Sequence, residues 1–140
     1  VHWADYAQTM IDMEVNFQEL DEDFVPFTAI PNDEFTHGVT LYNNAVNGDY
    51  GPIAAYTPPA NITGDDAMAM LRAERNQKLD ETDYIEMPTR WAALSEADQT
   101  AWTTYRNALR NLPADYPNPS YVYDAQGNGA WSNVTWPTQP

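Results

Sequence analysis

TAWTTYRNALRNLP, residues 100–113, carries the pattern from which the rest of the architecture follows. Trp102, Tyr105, Leu109 and Leu112 recur at spacings of three, four and three, the rhythm of one face of an amphipathic α-helix. Ala101 and Ala108 flank that face. Ser95 with Asp98 forms a capping-box-like start, and Pro113 is expected to stop the helix. Arg106 and Arg110, one turn apart near its end, are expected to answer the negative end of the helix dipole.

Upstream, DDAMAMLRAERNQKLDE is expected to form a second helix, capped by Thr63 or Asp65. Its acids sit at the start and Arg72, Arg75 and Lys78 in the second half, which complements the dipole. Met68, Leu71 and Leu79, with the aliphatic stem of Arg75, trace one face. Between the two helices TDYIEMPTRWAAL reads as a loop or irregular bridge interrupted by Pro88. Two segments so joined, each apolar on one face, should pack as an antiparallel pair. Past Pro113, Tyr121 and Tyr123 precede a Gly127, Asn128, Gly129 turn, with Trp131, Val134 and Trp136 after it, so a hairpin is expected there.

The first part of the chain is patterned differently. Ile11, Met13, Val15 and Phe17 alternate with Asp12, Glu14, Asn16 and Gln18, the period of a half-buried strand. ELDED, residues 19–23, is a turn-like acidic break, and FVPFTAI follows as a second strand whose Pro26 suits an edge or a bulge. Val39, Tyr42 and Val46, with Leu41 and Ala45, favour a short helix ending at Gly48. Gly38 and the two asparagines, weak helix formers, keep a hairpin at Asn43 and Asn44 as the alternative. GDYGPIAAYTPPAN is an extended connector, since its prolines exclude helix. The expected fold class is therefore α+β, an antiparallel two-helix hairpin flanked by N- and C-terminal β-hairpin or extended arms. Its parts are an acidic N-terminal arm over residues 1–62 and the helical hairpin with an aromatic, Pro-rich tail over 63–140.

Charge divides the chain along the same line. Of 140 residues, 21 are Asp or Glu and 6 are Lys or Arg, a formal charge of −15. Every Lys and Arg falls between Arg72 and Arg110, and none precedes them. Such a balance argues against a nucleic-acid partner, because phosphate binding needs clustered cations. No run of 18 apolar residues marks a membrane span. With no Cys, disulfides, thiolate nucleophiles and Cys-based zinc sites are excluded together.

A family resemblance rests on particular residues. Leu71, Arg72, Arg75, Asn76, Leu79, Thr82 and Asp83 form one group, and Trp102, Tyr105, Arg106, Ala108, Leu109, Arg110, Leu112 and Pro113 a second. With the closing Val134, Trp136, Pro137 and Pro140, they resemble the tail assembly chaperone-like domain of bacteriophage tail proteins, over about residues 66–140. IPND, with the run to Gly48 and GPIAAYTPP, is similar to the leader of phage tail-fibre-associated proteins. Tyr84 stands where that family commonly has Trp, and Lys78 replaces an apolar residue. Asn107 and Asn111 replace Gln and Asp, and residues 121–129 look inserted. The resemblance implies a non-enzymatic protein of the virion tail, or of the host cytoplasm during assembly. Its partners would be tail-fibre, baseplate or other virion proteins, and a homo-oligomer is compatible with it. No cofactor is implied. The alternatives are a capsid decoration or other permanent virion surface protein, and an acidic inhibitor of a host DNA-binding protein.

Candidate contact residues are Arg72, Arg75, Asn76, Asp83, Trp102, Tyr105, Arg106, Arg110, Trp131, Trp136 and Pro137. If the helices face each other, the arginines can fork to Asp83, Glu96 or Asp98, or stack on Trp91 and Trp102. They then either lock the hairpin and its loop or grip an acidic partner, and the first reading is preferred. Trp102 and Tyr105 are assigned to the core, whereas Trp131, Trp136 and the tail suit core and interface equally. Asp124, Gln126 and Asn128 imitate a calcium loop, but Thr135 stands where that loop needs a bidentate Glu, so a turn accounts for them better. His2 and His37 match no zinc pattern. The pairs Asp65 with Asp66 and Asp21 with Asp23 are expected by chance at this acid content.

Overall fold

A computed structural model describes residues 1–17 and 24–140. The acidic turn expected at 19–23 lies outside the described residues. The fold is α+β, in two compact units, one of residues 1–59 with 123–128 and the other of residues 60–122 with 129–140.

In the first unit, strands His2–Trp3 (β1), Ile11–Val15 (β2) and Val25–Ala29 (β3) form an antiparallel sheet in that order. Period-two alternation turns Ile11 and Met13 inward, with Asp12 and Glu14 on the opposite face. Opposite them on β3 stand Thr28 and Pro26. Pro26, which has no N–H to donate, is accommodated because β3 is an edge strand. β1 is absent from the sequence-based expectation: two residues are too short for any period to register.

Helix α1, Thr36–Asn47, packs on this sheet. Gly38, Leu41, Tyr42 and Ala45 form its inward stripe, and the last three pack with Ile11, Met13 and Ala29. Val46 lies a further 100° around the helix and is 53% exposed, so its expected place in the apolar face is corrected. Gly48 ends α1 at φ 89°, its N–H reaching Ala45 O while Asp49 N–H reaches Asn44 O. These bonds satisfy the last carbonyls. Gly38 costs helix propensity, but a Cβ there would sit 2.2 Å from Asp33 Oδ2. Asp33 is held in that position by accepting the Phe35 N–H at 2.8 Å.

The second unit holds α2 (Gly64–Asp80), a 3-10 turn (Asp83–Glu86), α3 (Pro88–Ala93) and α4 (Glu96–Asp115). Two expectations are corrected here. The bridge is not a loop: Pro88 opens α3 at its first position, where a missing N–H costs nothing. Nor does Pro113 stop α4, which runs two residues further and closes with Tyr116 N–H on Leu112 O. A proline so near the end removes one bond of the last turn and leaves the earlier ladder untouched. Ser95 caps α4 as read, its Oγ accepting the Asp98 N–H at 3.1 Å.

Strands β4 (Tyr121–Tyr123) and β5 (Gly129–Trp131) make the expected C-terminal hairpin. Asp124 builds its turn, accepting the N–H groups of Gln126 and Asn128 at 2.9 Å each. The Asn128 side chain and these backbone bonds hold the Asp124 carboxyl below the usual carboxylate range. Gly127 supplies the left-handed residue at φ 87°. Among the described residues, no helix is long and apolar enough to cross a membrane.

Candidate functional site

The site forms where α2 and α4 lie together. Arg75 Nη1 donates to Arg110 O at 3.4 Å, and one turn further along α2 Leu79 O accepts from Arg106, one turn earlier on α4. Numbers that rise on one helix as they fall on the other make the pair antiparallel. Ile85, Trp102, Tyr105 and Leu109 form the buried cluster, backed by Leu79, Trp91, Leu94 and Trp136. Trp102 and Tyr105 meet edge to face at 5.9 Å between ring centres. Leu71 and Leu112 are also buried, outside that cluster.

Arg106 belongs to this inward stripe, between Tyr105 and Leu109, and is 3% exposed. Because α4 runs on to Asp115 with no basic residue in its last turn, the expected role of Arg106 and Arg110 at the negative end of the helix dipole is corrected. Arg106 Nη1 donates to Leu79 O at 2.9 Å and to Thr82 Oγ1 at 2.6 Å. Nη2 donates to Asp83 Oδ1 at 2.7 Å and lies 3.1 Å from Glu86 Oε2. One guanidinium thus ties α4 to the end of α2, the turn residue Thr82 and the 3-10 turn. Nε has no partner among the described residues, a cost that the four other contacts must exceed. The cation is buried while both carboxylates reach water, with side-chain exposures of 63% for Asp83 and 49% for Glu86.

Of the acids proposed for the arginines, Asp83 is used, whereas Asp98 takes the Ser95 hydroxyl hydrogen bond in the cap. Glu86 takes the remaining role and also pairs with Arg110 at 3.7 Å. Three residues per 3-10 turn put Asp83 and Glu86 on one side, a spacing legible only once that turn is known. The expected stacking on Trp91 and Trp102 is likewise replaced: Arg90 lies over Tyr84 at 5.1 Å, and Lys78 over Trp136 at 5.0 Å.

The outer half of α2 shows why its periodicity is weak. Glu74, Arg75 and Lys78 occupy its packing face and are half-buried, where an apolar pattern would have Leu or Ile. Glu74 Oε2 accepts the Trp131 indole N–H at 2.8 Å, and Lys78 reaches Glu74 at 3.9 Å. Trp131 in turn meets Tyr121 edge to face at 5.2 Å. Trp136 and Pro137 are half-buried, and Asn133 fastens the segment through Ser120 N–H and Asn118 O. Arg72 and Asn76 remain exposed, and Arg72 has no ion-pair partner among the described residues. Burial, with Glu81 nearby, pushes the Tyr105 phenol up from its ordinary value.

These features define an α+β protein whose basic residues are mostly spent on closing a helical hairpin and on seating an aromatic C-terminal segment against it. The family model described as phage tail assembly chaperone protein matches residues 68–140, just over half of the chain, and the chain belongs to that family. Membership gives it a role in phage tail assembly. No curated protein and no solved structure matches the chain.

Proposed function

We propose that this chain acts without catalysis at the fibre or baseplate end of a phage tail, through contacts with other tail proteins. The observation that carries the reading is the family match over 68–140, which apart from residues 123–128 falls on the unit closed by Arg106. In this reading the hairpin is a rigid platform, because its buried cation and indoles are engaged internally. Exposed Arg72 and Asn76 and the acidic N-terminal residues are then the groups left for partners. Interrupting the gene in the phage that encodes the chain tests this. The expected result is particles with tails that lack fibres or a complete baseplate. Intact, infectious particles would overturn it. Mass spectrometry of purified wild-type virions separates an assembly factor, absent from them, from a permanent component at fixed copy number.

A further inference from the structure

We propose that the outer face of the β1–β2–β3 sheet docks a basic segment, bearing Arg or Lys, of a partner tail protein. The register brings His2, Asp12 and Thr28 into one row and Glu14 and Pro26 into the next. All five line an open groove of about 720 Å³, with Phe24, 62% exposed, as an apolar wall. That volume lies within the ~300–1,000 Å³ of ligand-sized clefts. Asp12 is engaged, accepting from Thr28 Oγ1 at 2.5 Å and lying 3.6 Å from His2 Nε2. Glu14 has no ion-pair partner among the described residues, and residues 1–59 and 123–128 contain no Lys or Arg to supply one.

Charge complementarity selects the occupant. A Lys or Arg side chain combines an apolar stem, suited to Phe24 and Pro26, with a cationic head suited to Glu14 and Asp12. The same face of a second copy would bring acid against acid, and a nucleic acid carries the wrong sign. Recognition runs through side chains across the face instead of strand addition at its edge, because Pro26 removes a backbone donor from the edge strand β3. The inference deepens the assembly reading by giving the partner's chemistry, and it rests on that reading only for where the basic segment comes from.

The test uses the full chain and a fluorescent ten-residue peptide alternating Arg with Val, titrated at about 50 mM and about 300 mM salt. Expected is saturable binding weakened by salt, with amide shifts changing at residues 12–14, 27 and 28. Glu14→Lys should weaken binding at least ~10-fold. The double variant Asp65→Asn with Asp66→Asn, which changes net charge equally but in the other unit, should alter it less than ~2-fold. Equal losses in the two variants would mean a diffuse field and overturn the proposal, as would shifts confined to other residues. Sedimentation of the same samples showing a dimer that the peptide disperses would assign the groove to a second copy, which also overturns it. The peptide experiment involves no phage, so its failure leaves the assembly reading intact, and a normal phage lacking the gene leaves the groove chemistry intact.

Discussion

Arg106→Ala is the most informative perturbation of the hairpin. It removes two hydrogen bonds to neutral acceptors, Leu79 O and Thr82 Oγ1, each worth about 1 kcal/mol or somewhat more. It also removes contacts to Asp83 and Glu86, which at 63% and 49% exposure count for only about 0.5 kcal/mol each after solvent screening. The buried stem adds about 0.8 kcal/mol per methylene lost. Against this, the guanidinium no longer has to be desolvated. The expected net loss is about 3 kcal/mol, the low end for breaking a buried ion pair, because the abandoned carboxylates return to water. Arg106→Met keeps most of the volume, and Leu79 O retains the Thr82 N–H at 3.0 Å, so the loss is that of the guanidinium hydrogen bonds and should be about 1–2 kcal/mol. Arg110→Ala, at an exposed pair 3.7 Å apart, should lose less than about 0.5 kcal/mol. A urea titration followed by tryptophan fluorescence measures all three, since Trp91, Trp102, Trp131 and Trp136 lie in the hairpin's unit and Trp3 in the other. A loss below about 1 kcal/mol for Arg106→Ala, or equal losses for Arg106 and Arg110, would refute the reasoning.

Two further outcomes follow from the same packing. Trp102→Ala should cost about 3–5 kcal/mol in that titration, the range for a truncated core aromatic, and a loss below about 1 kcal/mol would remove Trp102 from the core. Tyr105 links stability to alkaline pH: its folded phenol titrates above the ordinary 10.0, so the neutral form is favoured by folding. That contribution is complete below pH 10 and is lost as pH rises through the shifted value. Tyrosinate absorbance should show one late-titrating group that disappears in Tyr105→Phe, and its persistence there would contradict the assignment.

Where a side chain's role is set by its neighbours along the chain, the sequence is enough. The three, four, three spacing of Trp102, Tyr105, Leu109 and Leu112, the Ser95 cap, the alternation of Ile11 and Met13, and Gly48 as a helix terminator all act within a turn or a strand. The roles of Pro88 and Pro113 are local too but depart from the sequence-based expectation, because proline is permissive or disruptive according to its position in a helix.

The hairpin's closing contacts could not be read the same way. Arg106 meets Leu79, Thr82 and Asp83 across sequence gaps of 23 to 27 residues, and Trp131 meets Glu74 across 57. Periodicity reports which way a residue points but not what stands opposite, so Arg106 on an apolar stripe and Glu74 on a packing face look like defects until the partner is in place. Secondary structure and the facing of the helices are encoded in short-range spacing. Which carboxylate receives which cation depends on the antiparallel docking of α2 and α4 and on a 3-10 turn that puts Asp83 and Glu86 side by side, and these exist only in the folded chain.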